Sequence, residues 1–158
     1  YKCIKFPNKW KFFKKIVTGI NCVDPIIFKW KNKWVLIVSK GKNEFLYNKL
    51  YVYTSKNPLS SSWDPLDINP VITSNILGRN AGFIKESSKK IYRISQAYLP
   101  GNYGAFVSIN EILNISKNKY YEKKIKKILP SYQKNIRGIH TLNYVKNFTV
   151  FDDSKWTK

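Results

Sequence analysis

The feature that most constrains this chain is a repeat of hairpins. Ile26-Ile-Phe28 and Trp34-Val-Leu-Ile-Val38 flank the polar turn Lys29-Trp-Lys-Asn-Lys33, which is the pattern of two antiparallel strands. Gly82-Phe-Ile84 and Ile91-Tyr-Arg-Ile94 flank Lys85-Glu-Ser-Ser-Lys-Lys90 in the same way, and Leu142-Asn-Tyr-Val145 and Phe148-Thr-Val-Phe151 flank Lys146-Asn147. A third strand candidate, Lys49-Leu-Tyr-Val-Tyr-Thr54, follows the first hairpin, and its counterpart Ala105-Phe-Val-Ser-Ile-Asn110 follows the second. Phe6-Pro-Asn-Lys-Trp10 precedes the first hairpin as Asn57-Pro-Leu-Ser-Ser-Ser-Trp63 precedes the second. A unit of about four strands recurring every roughly 50–60 residues predicts an all-β chain of propeller-like blades, each unable to bury both faces alone.

Residue usage agrees. Aromatic and β-branched side chains dominate the apolar positions and alanine is scarce, which favours strands over helices. Tyr120-Tyr-Glu-Lys-Lys-Ile-Lys-Lys-Ile-Leu129 also fits an amphipathic helix, but its place after the third strand predicts an outer strand. At 158 residues the chain is long enough for one domain with a core and too short for two large ones.

The formal net charge of +20 points to an anionic partner, nucleic acid or an acidic surface. Two facts weigh against that. Arg79, Arg93 and Arg137 are the only arginines, whereas a dedicated phosphate reader favours the guanidinium fork. The lysines are scattered among many Asn, Ile and Tyr, the composition an A/T-rich genome produces without selecting a patch. Cys3 and Cys22 are too few for a disulfide scaffold and His140 is the single histidine, so no metal centre and no cofactor site is expected. No signal peptide and no apolar run of spanning length is present, which leaves the compartment open.

In a propeller, the residues that open each innermost strand converge on one central funnel. Here they are Asp24-Pro25, Arg79-Asn80-Ala81-Gly82 and His140-Thr141-Leu142-Asn143. An acid, a guanidinium, amides and an imidazole around one opening suit the hydroxyls of a sugar, with Tyr103 packing on its ring. Arg93 and Gln96 join the candidate contacts, although an internal ion pair or a strand-end hydrogen bond explains them equally. Asp24 and Asn80 also suit turn caps, and His140 a bond to a neighbouring blade. Glu111 and Glu122 fall on the third and outer strands, away from the funnel, and are expected to be structural, and Asp152-Asp153 reads as a turn.

The ordered set Asp24-Pro-Ile-Ile-Phe28, Leu50 to Trp63, Asn69-Pro-Val71, Arg79-Asn-Ala-Gly82, Ile91 to Gln96, Tyr103-Gly104, Tyr121-Glu122 and Gly138 to Asn143 resembles the propeller domain at the N-terminus of glucosamine inositolphosphorylceramide transferases. That domain is in turn similar to the five-bladed propellers of glycoside hydrolase family 43. The resemblance implies that residues 1–158 are the C-terminal part of such a domain, about two four-stranded blades plus a closing strand, in a fragment of a longer protein. It also implies that Asp24 matches an acid opening a blade, and that Arg79, Gln96, His140 and Thr141 match shared polar positions. Ala97-Tyr98 stands where relatives often carry an acidic residue.

The expected function is carbohydrate recognition within a glycan-processing or glycosyltransferase protein, with Asp24 as the one candidate catalytic group and Arg79, Asn80, Arg93, Gln96, Tyr103, His140, Thr141 and Asn143 as sugar contacts. The expected partners are a carbohydrate or glycoconjugate and the upstream blades of the same protein. Glycoside hydrolysis is the alternative, but it needs two carboxyl groups flanking the bond, and among the nine acids Asp24 alone is well placed. A basic nucleic-acid or acidic-surface module is the third possibility. Two blades leave two apolar faces uncovered, so the chain by itself is expected to self-associate.

Overall fold

A computed structural model describes residues 1–41, 47–87, 90–131, 134–145 and 147–155. Parts of two expected turns, Ser88-Lys89 and Lys146, lie outside the described residues. The described chain is all strand and turn. A short hairpin, β1 (Lys2–Lys5) and β2 (Lys9–Lys11), comes first. The first meander is β3 (Val23–Trp30), β4 (Lys33–Lys40) and β5 (Lys49–Ser55), with β6 (Asp64–Pro65) and β7 (Ile72–Thr73) both pairing to β5. The second is β8 (Arg79–Lys85), β9 (Ile91–Leu99), β10 (Asn102–Ser116) and β11 (Lys119–Ile128), antiparallel throughout. The last hairpin is β12 (Ile136–Val145) with β13 (Phe148–Lys155). β12 runs parallel beside β8 through the pair Tyr144 and Ile84, giving the order β11-β10-β9-β8-β12-β13.

The three expected hairpins and both third strands are present, and 120–128 is a strand. Its pairing along the long β10, from Ser116 opposite Lys119 to Val107 opposite Ile128, satisfies a backbone that a helix would have withdrawn from the sheet. As the edge of that sheet, β11 carries exposed Lys119, Lys123, Lys124, Lys126 and Lys127, and lysines on an edge oppose pairing with another chain.

Packing follows the period of two. In β4, Val35 and Ile37 point to one face and Leu36 and Val38 to the other, and all four are buried. Val35 and Ile37 join Ile26, Phe28, Leu50 and Val52 in a core that Ile91, Ile112 and Ile115 of the second meander complete. Ala81, Ile94 and Val107 of the second meander pack in turn against Ile139 of β12. The first meander therefore buries a face against the second, and β12 buries one against the meander beside it; burying one such aliphatic side chain contributes about 1.5–3 kcal/mol.

Candidate functional site

Asp24 sits where β3 begins, at a register break between Val23 and Ile26. Pro25 has no N–H to give to the ladder, and Asp24 adopts a left-handed backbone (φ +52°) that aspartate tolerates better than most residues. Its carboxylate accepts a hydrogen bond from Arg79 Nε (2.8 Å) and its backbone carbonyl one from Asn80 Nδ2 (2.9 Å). The starts of β3 and β8 are thus tied together.

From Arg79 a line of polar side chains leads across to the last hairpin. The guanidinium, its side chain 15% exposed, lies 5.4 Å from the centre of the Tyr47 ring and 5.0 Å from that of Tyr103. The Tyr103 hydroxyl is 2.5 Å from His140 Nε2, and His140 Nδ1 is 3.2 Å from the Asp152 carboxylate. The other Asp152 oxygen accepts from the Thr141 amide (2.5 Å) and hydroxyl (3.0 Å). Because an ionised carboxylate only accepts, the neutral imidazole carries its proton on Nδ1, and Nε2 accepts from Tyr103. Asp152 therefore fixes the ring, and the ring fixes the tyrosine.

Two glycines make this approach possible. A Cβ on Gly138 would lie 2.7 Å from the Tyr103 carbonyl oxygen, and one on Gly104, at φ +70°, 2.7 Å from that of Ile139. Without side chains there, β12 closes on the start of β10 and brings His140 to Tyr103.

The electrostatics are mixed. Burial pushes the Tyr103 hydroxyl above its ordinary range, against the pull of nearby Arg79. Partial burial also pushes the Asp152 carboxyl up, but the Thr141 hydroxyl, the Thr141 amide and His140 outweigh it and hold the group below the usual carboxylate range. Arg79 donates to Asp24 through Nε, and among the described residues its two terminal amino groups meet no acceptor.

The structure thus gathers Asp24, Arg79, Tyr103, His140 and Thr141 into one group, half-buried except for the exposed Tyr103. It does not bring Arg93, Asn80 or Asn143 to it. Arg93 is fully buried, with Nε and Nη2 on Glu122 (2.9 and 2.6 Å), Nη2 also on the Leu77 carbonyl (2.8 Å) and Nη1 on Asn80 Oδ1 (3.2 Å). Asn80, fully buried too, links β8 to the Asp24 and Ile37 carbonyls of the first meander. Asn143 accepts from the Phe83 amide and so holds β12 to β8. These three are spent on framework, because a buried donor or acceptor left unpaired is costly. Gln96 lies opposite Arg79 in the β8–β9 register and is 1% exposed; it donates to the Asn80 carbonyl, and its Oε1 has no partner among the described residues.

Residues 1–150 match the family profile described as glucosamine inositolphosphorylceramide transferase 1, N-terminal. The chain belongs to this family. No curated protein matches it. Membership makes it a glycosyltransferase-associated domain, and nearly every element described above, from β1 to the start of β13, falls inside the matched region.

Two members of the site in this N-terminal family domain escaped the sequence reading. Asp152 follows Phe151 and looks like a turn, yet it lies on β13 opposite Thr141 across a register shift between Ile139 and Thr141. The Asp-Asp pair after an alternating strand was the available signal. Tyr47 lies in an irregular stretch before β5, where no periodicity marks its direction.

Proposed function

We propose that this chain is a carbohydrate-recognising segment of a glycosyltransferase-associated protein, and that Asp24, Arg79, Tyr103, His140 and Thr141 form its sugar site, with buried Gln96 behind it. The architecture proposed with it is about two blades, with the strands that close the ring, of a five-bladed propeller like those of glycoside hydrolase family 43. The observation that carries the site is Arg79. A guanidinium beside two tyrosine rings and anchored through one nitrogen to Asp24 holds its remaining N–H groups in a fixed fork, with no acceptor among the described residues. Such a fork suits paired oxygen acceptors, and the exposed Tyr103 beside it offers an aromatic surface to a sugar ring.

The upstream blades of the same protein are the proposed partner of the exposed apolar side chains at the two ends of the fold. These are Ile4, Phe6 and Trp10 around the first hairpin and Tyr144, Phe148 and Val150 on the last. Hydrolysis by a carboxyl pair is the weaker reading. Asp152 is a second acid of the site, but a carboxyl held below its ordinary range is a poor proton donor at neutral pH, and Asp24 is already engaged by Arg79.

A glycan array on the full-length protein tests recognition. Arg79→Ala and Arg79→Lys both weaken the strongest glycan signal by about tenfold or more, since lysine keeps the charge but loses the fork. Unchanged binding in both variants rules out this site.

A further inference from the structure

At the end of β3 opposite Asp24, roughly 20 Å away along the strand, a cleft of about 770 Å³ opens between the two meanders. Buried Val35, Leu66 and Ile115 form its apolar lining, with Trp30 and Pro65 beside them. The β3–β4 turn supplies Lys31, Asn32 and Lys33 to the rim. Across from them stand Asp64 and Asp67 near β6 and Lys117 of the β10–β11 turn.

The charges at the rim are unequally engaged. Lys117 Nζ is 3.7 Å from the Asp67 carboxylate, and the Asp67 amide donates to the Lys117 carbonyl, so that pair ties the meanders together. Lys31 and Lys33 form no ion pair among the described residues, and neither does Asp64. Two uncommitted cations face one uncommitted acid, which favours an anion over a cation.

The β3–β4 turn is two residues long, Lys31-Asn32 between the paired Trp30 and Lys33, and Lys31 takes the positive φ (+53°) that such a hairpin turn requires at its first central position, which holds both lysines at the rim. One further feature needs an explanation that packing does not supply. The Trp30 indole N–H is buried and has no acceptor among the described residues.

We propose that this cleft is a second binding site, separate from the Arg79 group, for a small organic anion with a flat apolar body. Trp30 and Pro65 pack the flat body, and Lys31 and Lys33 hold the anionic group. The volume is of the size that holds such ligands.

Calorimetric titration of the full-length protein with naphthalene-2-sulfonate tests it, with uncharged naphthalen-2-ylmethanol and inorganic sulfate as comparisons. The sulfonate binds at least about tenfold more tightly than either, because it uses both the apolar lining and the lysines. The double variant Lys31→Gln/Lys33→Gln weakens the sulfonate about three- to tenfold and leaves the uncharged compound unchanged. Lys126→Gln on the edge strand and Arg79→Ala leave both unchanged. No binding of the sulfonate, equal binding of charged and uncharged compounds, or an unaffected double variant overturns the proposal. So does an equal loss in Lys126→Gln, which reports overall charge, or a loss in Arg79→Ala, which moves the ligand to the other site.

Discussion

Glu122→Ala is the sharpest test of how this fold is held together. The Glu122 side chain is 7% exposed and that of its partner Arg93 1%, so neither charge has water to fall back on. The substitution removes two hydrogen bonds to the guanidinium, 2.9 and 2.6 Å, and one from the Tyr120 hydroxyl, 2.6 Å. Burial alone would lower the Arg93 pKa; Glu122 reverses this and raises it above its ordinary value, so the group stays charged. Breaking a buried pair from one side costs about 3–5 kcal/mol, and for a domain of this size each kcal/mol moves Tm by roughly 2–4 °C. The expected fall is therefore about 6–20 °C in the transition of this domain, followed by calorimetry on the full-length protein. Arg93→Met/Glu122→Leu removes both charges together and recovers part of the loss. The recovery is incomplete because Asn80 Oδ1 and the Leu77 carbonyl lose their donor. A fall below about 2 °C in the single variant would show that the pair is solvated in solution and that Arg93 is free for ligand.

Two other outcomes follow from the site. Gly138→Ala forces β12 away from Tyr103 and costs about 1–3 kcal/mol; in NMR spectra the His140 ring signals shift toward those of an exposed imidazole, and unshifted signals contradict the close approach. Asp152 binds its proton less readily folded than unfolded, so its contribution is present above the unfolded value near pH 4 and is lost as pH falls through the lower folded value. Acid unfolding of the last hairpin, followed by NMR, accordingly loses its steepest pH dependence in Asp152→Asn, and an identical profile refutes the assignment.

Asp24 and Arg79 were legible because each is a polar residue opening a strand of the repeat, and those two strand starts do meet; His140 was expected to open a strand too but stands in the middle of β12, because pairing with β13 extends that strand back to Ile136. Arg93, inside β9 between Tyr92 and Ile94, could not be told from a second surface guanidinium like Arg79 in the same way, since residue type and strand position give no measure of burial. Burial separated them: Arg93 is in a strand covered on both faces, and its partner Glu122 lies on an edge strand that only sheet order brings alongside. Asp152 was missed for a related reason, because its contact with Thr141 depends on a register shift that no local pattern encodes.

By itself the sequence determined the strands, their hairpins and the recurrence of the unit, because alternation and turn residues act over a few neighbours. The tertiary structure alone decided which polar side chains stay in water. Arg93 and Asn80 pay for burial with internal bonds, and Arg79 keeps open donors at the surface. That choice depends on how strands distant in sequence approach one another, as at β10 and β12, where the absence of a side chain on Gly104 and Gly138 sets the spacing.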